Sequence, residues 1–520
     1  MEKQTIDSWQ FGKSLFKTSN HKNGSQSMEQ LKMKLNESAF LRWFVLVLLS
    51  GLTFGTYWFQ DCLGPLKGLF ESELGFTSSQ FGLIISSTTW ANLALMIIVG
   101  GMALDRWGIR RTGIAFGLLA TLGATLVALA GRGTFGHEGK SMLIVMIVGR
   151  ILFGTGLETV CVMVQRTIVK WFKGFELALA MAVNMGFGRL GSAGTNFFGL
   201  DIAHGSVAPA LSFAASLIGL GFILFIIYLI FDVKFDKQLL AERVSLQASE
   251  DQFKFSDLLK LLTNRSFILI GLLCVFFYSA VFPFIQYTPD LLVNKFGFSY
   301  SLPDLHGLSV FEKIKELLHN GAKVTSFIPL GTILFTPIFG TLVDKKGKAA
   351  SLMILGSLLL IFAHVSLSVF NSVTLGYVGL FSLGIAFSLV PAAMWPSVAK
   401  IVAEKRLGTA YATMFTIQNY GLSAFYWGIG RVLDLTNKAV VDKIQSAREV
   451  LLASGMNPSE VPRKIEEMKT LGALPMYNYT VPVLMLVGLG IISIFLAYQL
   501  RAADKKQGYG LELPSGVKEA

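Results

Sequence analysis

GMALDRWGIRR, residues 101–111, and GTLVDKKGK, residues 340–348, are the two strings that decide the architecture. Both fit G-x-x-x-D-[RK]-x-G followed by further basic residues. The first supplies Gly101, Asp105, Arg106, Gly108, Arg110 and Arg111, and the second Gly340, Asp344, Lys345, Gly347 and Lys348. Each ends one apolar run and precedes the next. The small residue lets helices approach closely. The Asp can accept hydrogen bonds from a neighbouring helix N-terminus and pair with the basic residues after it. Contacts of this kind can form in one conformation and break in another, as a gate requires. One copy alone could be a basic turn at a membrane surface. Two copies at equivalent places in two halves point to a duplicated, gated fold.

Composition agrees. The chain has 520 residues, of which 52% are hydrophobic and only 15% charged, too apolar for an ordinary soluble protein. Apolar runs of roughly 20 residues recur, each long enough to cross about 30 Å of hydrocarbon as a helix. The short alternating segments of a β-barrel are not seen. Six runs fall at 41–61, 81–104, 113–131, 142–166, 175–200 and 209–232. Six more fall at 267–290, 322–343, 350–370, 373–400, 408–434 and 479–500. The expected fold is therefore an all-α membrane protein with twelve transmembrane helices in two six-helix bundles. Its units are a tail (1–40), a bundle (41–232), a linker with an amphipathic helix (233–266), a second bundle (267–502) and a tail (503–520).

The net charge of +12 gathers in short loops, which reads as an orientation signal and not as a nucleic-acid surface. Basic turns follow spans 2, 4, 8 and 10, so those turns, both termini and the linker are expected in the cytoplasm. The first 37 residues contain no apolar run before a cleavage site, so no removable signal peptide is expected. In the linker, SDLLKLLTNR (256–265) reads as a surface helix capped by Ser256. Two long loops, 291–321 and 435–478, face the other side. SVFE (309–312) has capping-box form, with Val310, Ile314, Leu317 and Leu318 at helical spacing after it. Val440, Ile444 and Leu451 suggest a second amphipathic helix, broken at Asn457–Pro458 before a charged segment. Docking of these helices on the protein's own surface is expected, with a partner protein as the alternative.

Cys62, Cys161 and Cys274 read as packing thiols, and His364 as a packed histidine. Gly186, Gly188 and Gly191 spell G-x-G-x-x-G inside an apolar helix with no preceding strand. Helix packing, not dinucleotide binding, explains them. No metal-ligand spacing, nucleophile elbow or phosphate loop is seen, so no cofactor, metal or covalent chemistry is expected.

The informative charges are intramembrane. Spans 4 and 5 carry Arg150, Glu158 and Arg189, each costing about 2.5–3.5 kcal/mol at a bilayer centre. Glu158 and Arg189 lie at similar depth, one anion and one cation, as the two ends of a zwitterion need. Arg presents a planar fork suited to a carboxylate. The alternative is a structural pair, Glu158–Arg189 or Glu158–Arg150, tying helices together. Arg150, about 80° around the helix from Glu158, is expected in a gating or structural role. Tyr57, Asn184, Asn196, Tyr278, Gln286, Trp395, Gln418 and Asn419 are further candidates for the cavity wall. Interhelical bonding is the rival for the amides and a membrane-interface belt for the aromatics.

The repeated motif, with Arg150, Gly154 and Gly156 in R-x-x-x-G-x-G, resembles the major facilitator superfamily over residues 40–505. A closer resemblance lies in GTGLETV (154–160), WFKGFELALA (171–180), GRLGS (188–192), FPFIQY (282–287), AAMWPSVA (392–399) and LGTAYATMFTIQNYGL (407–422). These strings are similar to the lysosomal dipeptide transporter family. The resemblance implies alternating access around a central cavity, with Glu158 engaging a peptide's amino group and Arg189 its carboxylate. The tail lacks an acidic dileucine sorting signal, so a plasma or bacterial inner membrane is expected in place of the lysosome. Expected partners are a small-molecule or dipeptide substrate, the lipid bilayer and, if transport is proton-coupled and not uniport, protons. A monomer is expected, with room for an accessory subunit. The rival functions are an organic-anion exchanger using Arg189 and Arg150, and a non-transporting sensor or scaffold of the same fold.

Overall fold

The computed structural model describes residues 35–136, 139–242, 261–300, 305–403 and 406–514. The tail to residue 34 and the first half of the expected linker helix at 256–265 lie outside them. Spans are numbered in chain order. Span 1 is Ala39–Asp61, and span 2 is built from Ser78–Ser87, Trp90–Leu93 and the start of Met96–Gly131. That last helix turns at Gly108 (φ 74°) and continues as span 3. Spans 4 to 7 are Gly139–Phe172, Leu177–Ala203, Val207–Glu242 and Arg265–Phe296. Span 8 is Gly321–Thr325 with Phe327–Lys346. Spans 9 to 12 are Ala349–Ser368, Val373–Ile401, Leu407–Thr436 and Thr480–Gln507.

Local chemistry sets the ends. Ser38 and Asn264 cap spans 1 and 7 through the amides of Leu41 and Phe267. Thr77 and Gln80 form a capping box at the start of span 2. Gly297 (φ 70°) and Gly508 (φ 68°) stop spans 7 and 12. Nine helical stretches among the described residues are long and apolar enough to cross a membrane. Spans 5 and 11 are more polar: one carries Asn184, Arg189 and Asn196, the other Gln418 and Asn419. A helix less apolar than its neighbours needs a protein or water face to put its polar groups on.

Spans 1 to 6 pack as one bundle and 7 to 12 as the other, joined along spans 2 and 11 and along spans 5 and 8. Span 2 is not the continuous helix that its apolar run suggests. It breaks around Thr88–Thr89 and again at Leu95, whose φ is 63°. The carbonyl freed at Leu93 accepts the Tyr420 hydroxyl of span 11 at 2.8 Å, so the opened backbone is satisfied from the other bundle.

The two sides of the molecule are called here the basic face, with the turns after spans 2, 4, 8 and 10, and the loop face. On the loop face the capping box at Ser309–Glu312 forms and helix Val310–Leu318 follows. Its apolar side does not dock: Val310 and Phe311 are 75% and 77% exposed. The other loop carries two helices, Lys438–Ala453 and Val461–Thr470, and these do lie on the protein's own surface, with Ile444 and Ile465 buried. Span 12 runs five residues beyond the expected bundle end, and residues 508–514 fold back under the second bundle. Leu511 is fully buried there, and the Glu512 carboxylate accepts from the Ser351 amide and hydroxyl at 2.9 and 2.7 Å.

Candidate functional site

Gly154 brings span 4 against the first break of span 2: a Cβ there would lie 1.8 Å from the Thr88 carbonyl oxygen. One turn on, Glu158 is half-buried, and its hydrogen-bond partners are Asn92 of the broken span 2 and Asn419 of span 11. The carboxylate therefore sits where the two bundles meet. Its neighbour Tyr57 bonds Cys161 and packs over Gly188, whose Cβ would lie 3.1 Å from the Tyr57 ring.

Gly188 also leads to Arg189, half-buried on span 5. The guanidinium stacks over Phe387 of span 10 at 4.8 Å, with the Phe282 ring of span 7 at 6.0 Å. Those rings begin an aromatic wall. Tyr278 stacks on Phe282 at 5.3 Å, and its hydroxyl accepts the Trp395 indole N–H at 2.9 Å. Trp395 in turn stacks on Phe415 at 4.9 Å. The first bundle thus offers an anion and a cation, and the second an amide for the one and rings for the other. Among the described residues neither Glu158 nor Arg189 has an ion-pair partner, and they are not paired with each other. No group of side chains there could hold a metal ion.

Not every expected residue belongs to this space. Asn184 is a correction: its amide donates to Ser50 and Thr53 at 3.1 and 3.0 Å, tying span 5 to span 1. Asn196 is another: it is buried and bonds back to the Ser192 carbonyl at 2.8 Å. Gln418 is buried and accepts from the Cys274 thiol at 3.3 Å. Arg150 is fully buried, donates to the Phe59 and Gln60 carbonyls at 3.1 and 3.2 Å, and anchors the end of span 1. Gln286 belongs to the layer that seals the loop face, donating to Asp61 across the bundles at 2.7 Å.

The composition of that layer was not read from sequence. Lys67 meets Asp290 at 2.7 Å and Lys323 meets Asp201 at 2.9 Å, so each bundle gives one cation and one anion to the other. Asp434 of span 11 accepts the Ser78 and Ser79 amides at the start of span 2, at 3.0 and 2.7 Å, where a helix N-terminus favours an anion. Arg448 donates to the Ser72 and Glu73 carbonyls, and Tyr477 and Tyr479 bond Glu71 and Asp290. Each of these residues looks ordinary until its partner, between 122 and 406 positions away, is known.

On the basic face several ion pairs between described residues join spans of the same bundle. Asp105 pairs with Arg166 of span 4, and not with the basic residues that follow it. Arg110 bonds Asp232 and Asp236 of span 6, and Lys170 reaches the same two at 2.6 and 2.7 Å. Arg106 and Arg111 are exposed. In the second motif Lys345 is exposed, and Gly347 turns the chain with φ 68°. Asp344 lies within electrostatic range of Lys400. Gly101 and Gly340 do not mark close approaches here: a Cβ on either would meet nothing within 4 Å. The molecule is a carrier-like pair of bundles sealed at the loop face, with Gly101, Gly108 and Gly340 facing open space on the basic face and Gly347 packed on the Glu512–Leu513 backbone.

Comparison with known proteins agrees with this architecture. Residues 49–426 match the Major Facilitator Superfamily, and the chain belongs to it. It is 30% identical over 407 residues to the Lysosomal dipeptide transporter MFSD1 of Homo sapiens, covering 76% of this chain and 80% of that one. The same transporter of Danio rerio is 29% identical over 408 residues, with 76% and 81% covered. Among solved structures, a bacterial homolog of the human lysosomal transporter Spinster, inward-facing and unoccupied, superposes with a TM-score of 0.59. It is 16% identical and covers 92% of this chain and 100% of its own. The chain is a multi-pass membrane transporter of that superfamily. Relatives with a lysosomal name give no support to the expected plasma or bacterial membrane.

Proposed function

We propose that this protein carries small zwitterions, dipeptides above all, by alternating access, with Glu158 receiving the ammonium group and Arg189 the carboxylate. The carrying observation is that these two charges, on adjacent spans, face the junction of the bundles with no ion-pair partner among the described residues. A structural ion pair would neutralise them against each other. The Asp61 carboxylate lies within electrostatic range of Arg189 but also of Arg150, and Glu158 is met by the amides of Asn92 and Asn419. Neither charge is closed off by a paired counter-ion among the described residues, so a guest can supply one. The aromatic wall of Tyr278, Phe282, Phe387 and Trp395 offers apolar surface to the guest's side chains. The basic face is the cytoplasmic one under the positive-inside rule, and the inter-bundle bonds of the loop face part when the carrier reverses. An organic-anion exchanger would want Arg150 as a second cation, and that guanidinium is spent on backbone carbonyls.

The test is uptake of a labelled dipeptide into proteoliposomes. Glu158→Gln and Arg189→Ala should each abolish uptake while the purified protein stays monodisperse. A thermal-shift screen should show stabilisation by dipeptides and none by dicarboxylates. Full uptake by both variants, or stabilisation by dicarboxylates alone, would remove the assignment.

A further inference from the structure

Beyond the sealed layer, on the loop face, lies a cavity of about 1150 Å³ between the bundles. It is lined from the first half by Gly68, Ser72 and His204, and from the second by Tyr300, Glu466 and Lys469. Sites for drug-sized ligands run to about 300–1,000 Å³, so a dipeptide fits with water to spare. Helix Val461–Thr470 forms one wall. Glu466 and Lys469 are three residues apart, so they share one face of it, and both reach the cavity half-buried.

Lys469 is held less tightly than the cations of the sealed layer below. Glu466 accepts the Tyr300 backbone amide at 3.3 Å. The Lys469 amine lies 3.7 Å from Glu71, with side chains 12% and 7% exposed, and 5.5 Å from the Tyr477 ring. A charge-assisted N–H···O bond normally measures about 2.7–2.9 Å, the length found for Lys67 and Asp290. The Lys469–Glu71 pair is loose by that standard, and Glu71 keeps a second partner in the Tyr477 hydroxyl.

We infer that this cavity is a second docking site for the transported zwitterion, with Lys469 holding its carboxylate and Glu466 its ammonium group. The inference rests on the zwitterion reading of the transported solute. A guest carboxylate displaces Glu71 from Lys469, and Glu71 remains bonded to Tyr477. Occupancy thus removes one bond between loop-face segments of opposite bundles before the guest reaches Glu158 and Arg189. The site is a waiting position on the loop face whose filling loosens the seal above the central cavity.

Isothermal titration of the full-length protein in detergent micelles with alanylalanine tests this. The wild type should bind two molecules per chain. Glu158→Gln should retain one, held at the cavity. Lys469→Met should retain one, held centrally, and Lys469→Arg, which keeps the cation, should retain two. A wild-type stoichiometry of one that vanishes in Glu158→Gln would overturn the cavity site and leave the central one standing. So would two sites persisting in Lys469→Met. A wild type that binds no dipeptide would sink the zwitterion reading and the cavity site together.

Discussion

Arg189 shows how much one side chain has to do. Its guanidinium is a flat cation lying over the Phe387 ring at 4.8 Å, and its N–H groups make no hydrogen bond among the described residues. Lysine keeps the charge but loses the fork and the stacking surface. Arg189→Lys should therefore weaken dipeptide binding by about 2 kcal/mol, the low end for truncating a buried charge contact, or roughly 30-fold. The dose dependence of the thermal shift would measure it. An affinity equal to wild type would mean that Arg189 acts only as a point charge. The presence of Glu158 and Arg189 in apolar runs is visible in the sequence, because hydrocarbon penalises them wherever they point. Asn184 and Asn196 carry no such signal. Whether an amide meets a cavity or a neighbouring hydroxyl depends on its direction around the helix and on what stands opposite.

At the level of the element, the break in span 2 matters most. Its apolar run reads as one helix, yet it opens at Thr88 and Leu95 and presents Asn92 to Glu158. The break is set by packing: Gly154 approaches the Thr88 carbonyl and Tyr420 takes the Leu93 carbonyl. A Cβ at Gly154 forces span 4 away from that backbone. Gly154→Ala should cost about 1–3 kcal/mol, the usual penalty for overpacking, seen as a lowered melting temperature and lost dipeptide uptake. Gly186→Ala is the control, since a Cβ there meets nothing within 4 Å. It should melt at or slightly above the wild-type temperature, alanine being the better helix former. Equal melting temperatures for the two variants would deny the close contact its role. The loop helices were legible for a different reason. The capping box of Val310–Leu318 and the periodicity of that helix and of Lys438–Ala453 are local, so the sequence places both. Only the fold decides that Lys438–Ala453 docks, together with Val461–Thr470, and that Val310–Leu318 does not.

At the scale of the molecule, the loop face is closed by exchanged charges. Lys67 and Asp290 are buried at 2% and 1% side-chain exposure, one from each bundle. Removing one partner leaves the other as an uncompensated buried charge, a loss of about 3–5 kcal/mol to the closed state. Asp290→Asn should shift the population toward a loop face that is open, read as longer spin-label distances between loop-face ends of spans 1 and 7. The double change Lys67→Met with Asp290→Leu should return distances toward the wild-type value, because the stranded charge is gone. An unchanged distance distribution in Asp290→Asn would show that this pair does not hold the bundles together. The closing pairs lie 223 and 122 residues apart in the chain, which is why no local pattern announces them.

The sequence by itself determined the lipid-spanning helices, the division into two halves, the repeated motif on the basic face and the presence of intramembrane charges. Each follows from the cost of placing a given side chain in hydrocarbon, a property of the residue and its near neighbours. Tertiary structure alone decided which polar groups face the junction, that Arg150 is spent on carbonyls, that span 2 is broken, and which distant acids and bases close the loop face. Those depend on what stands opposite across the bundles, and a partner brought in by folding is not written next to the residue that meets it.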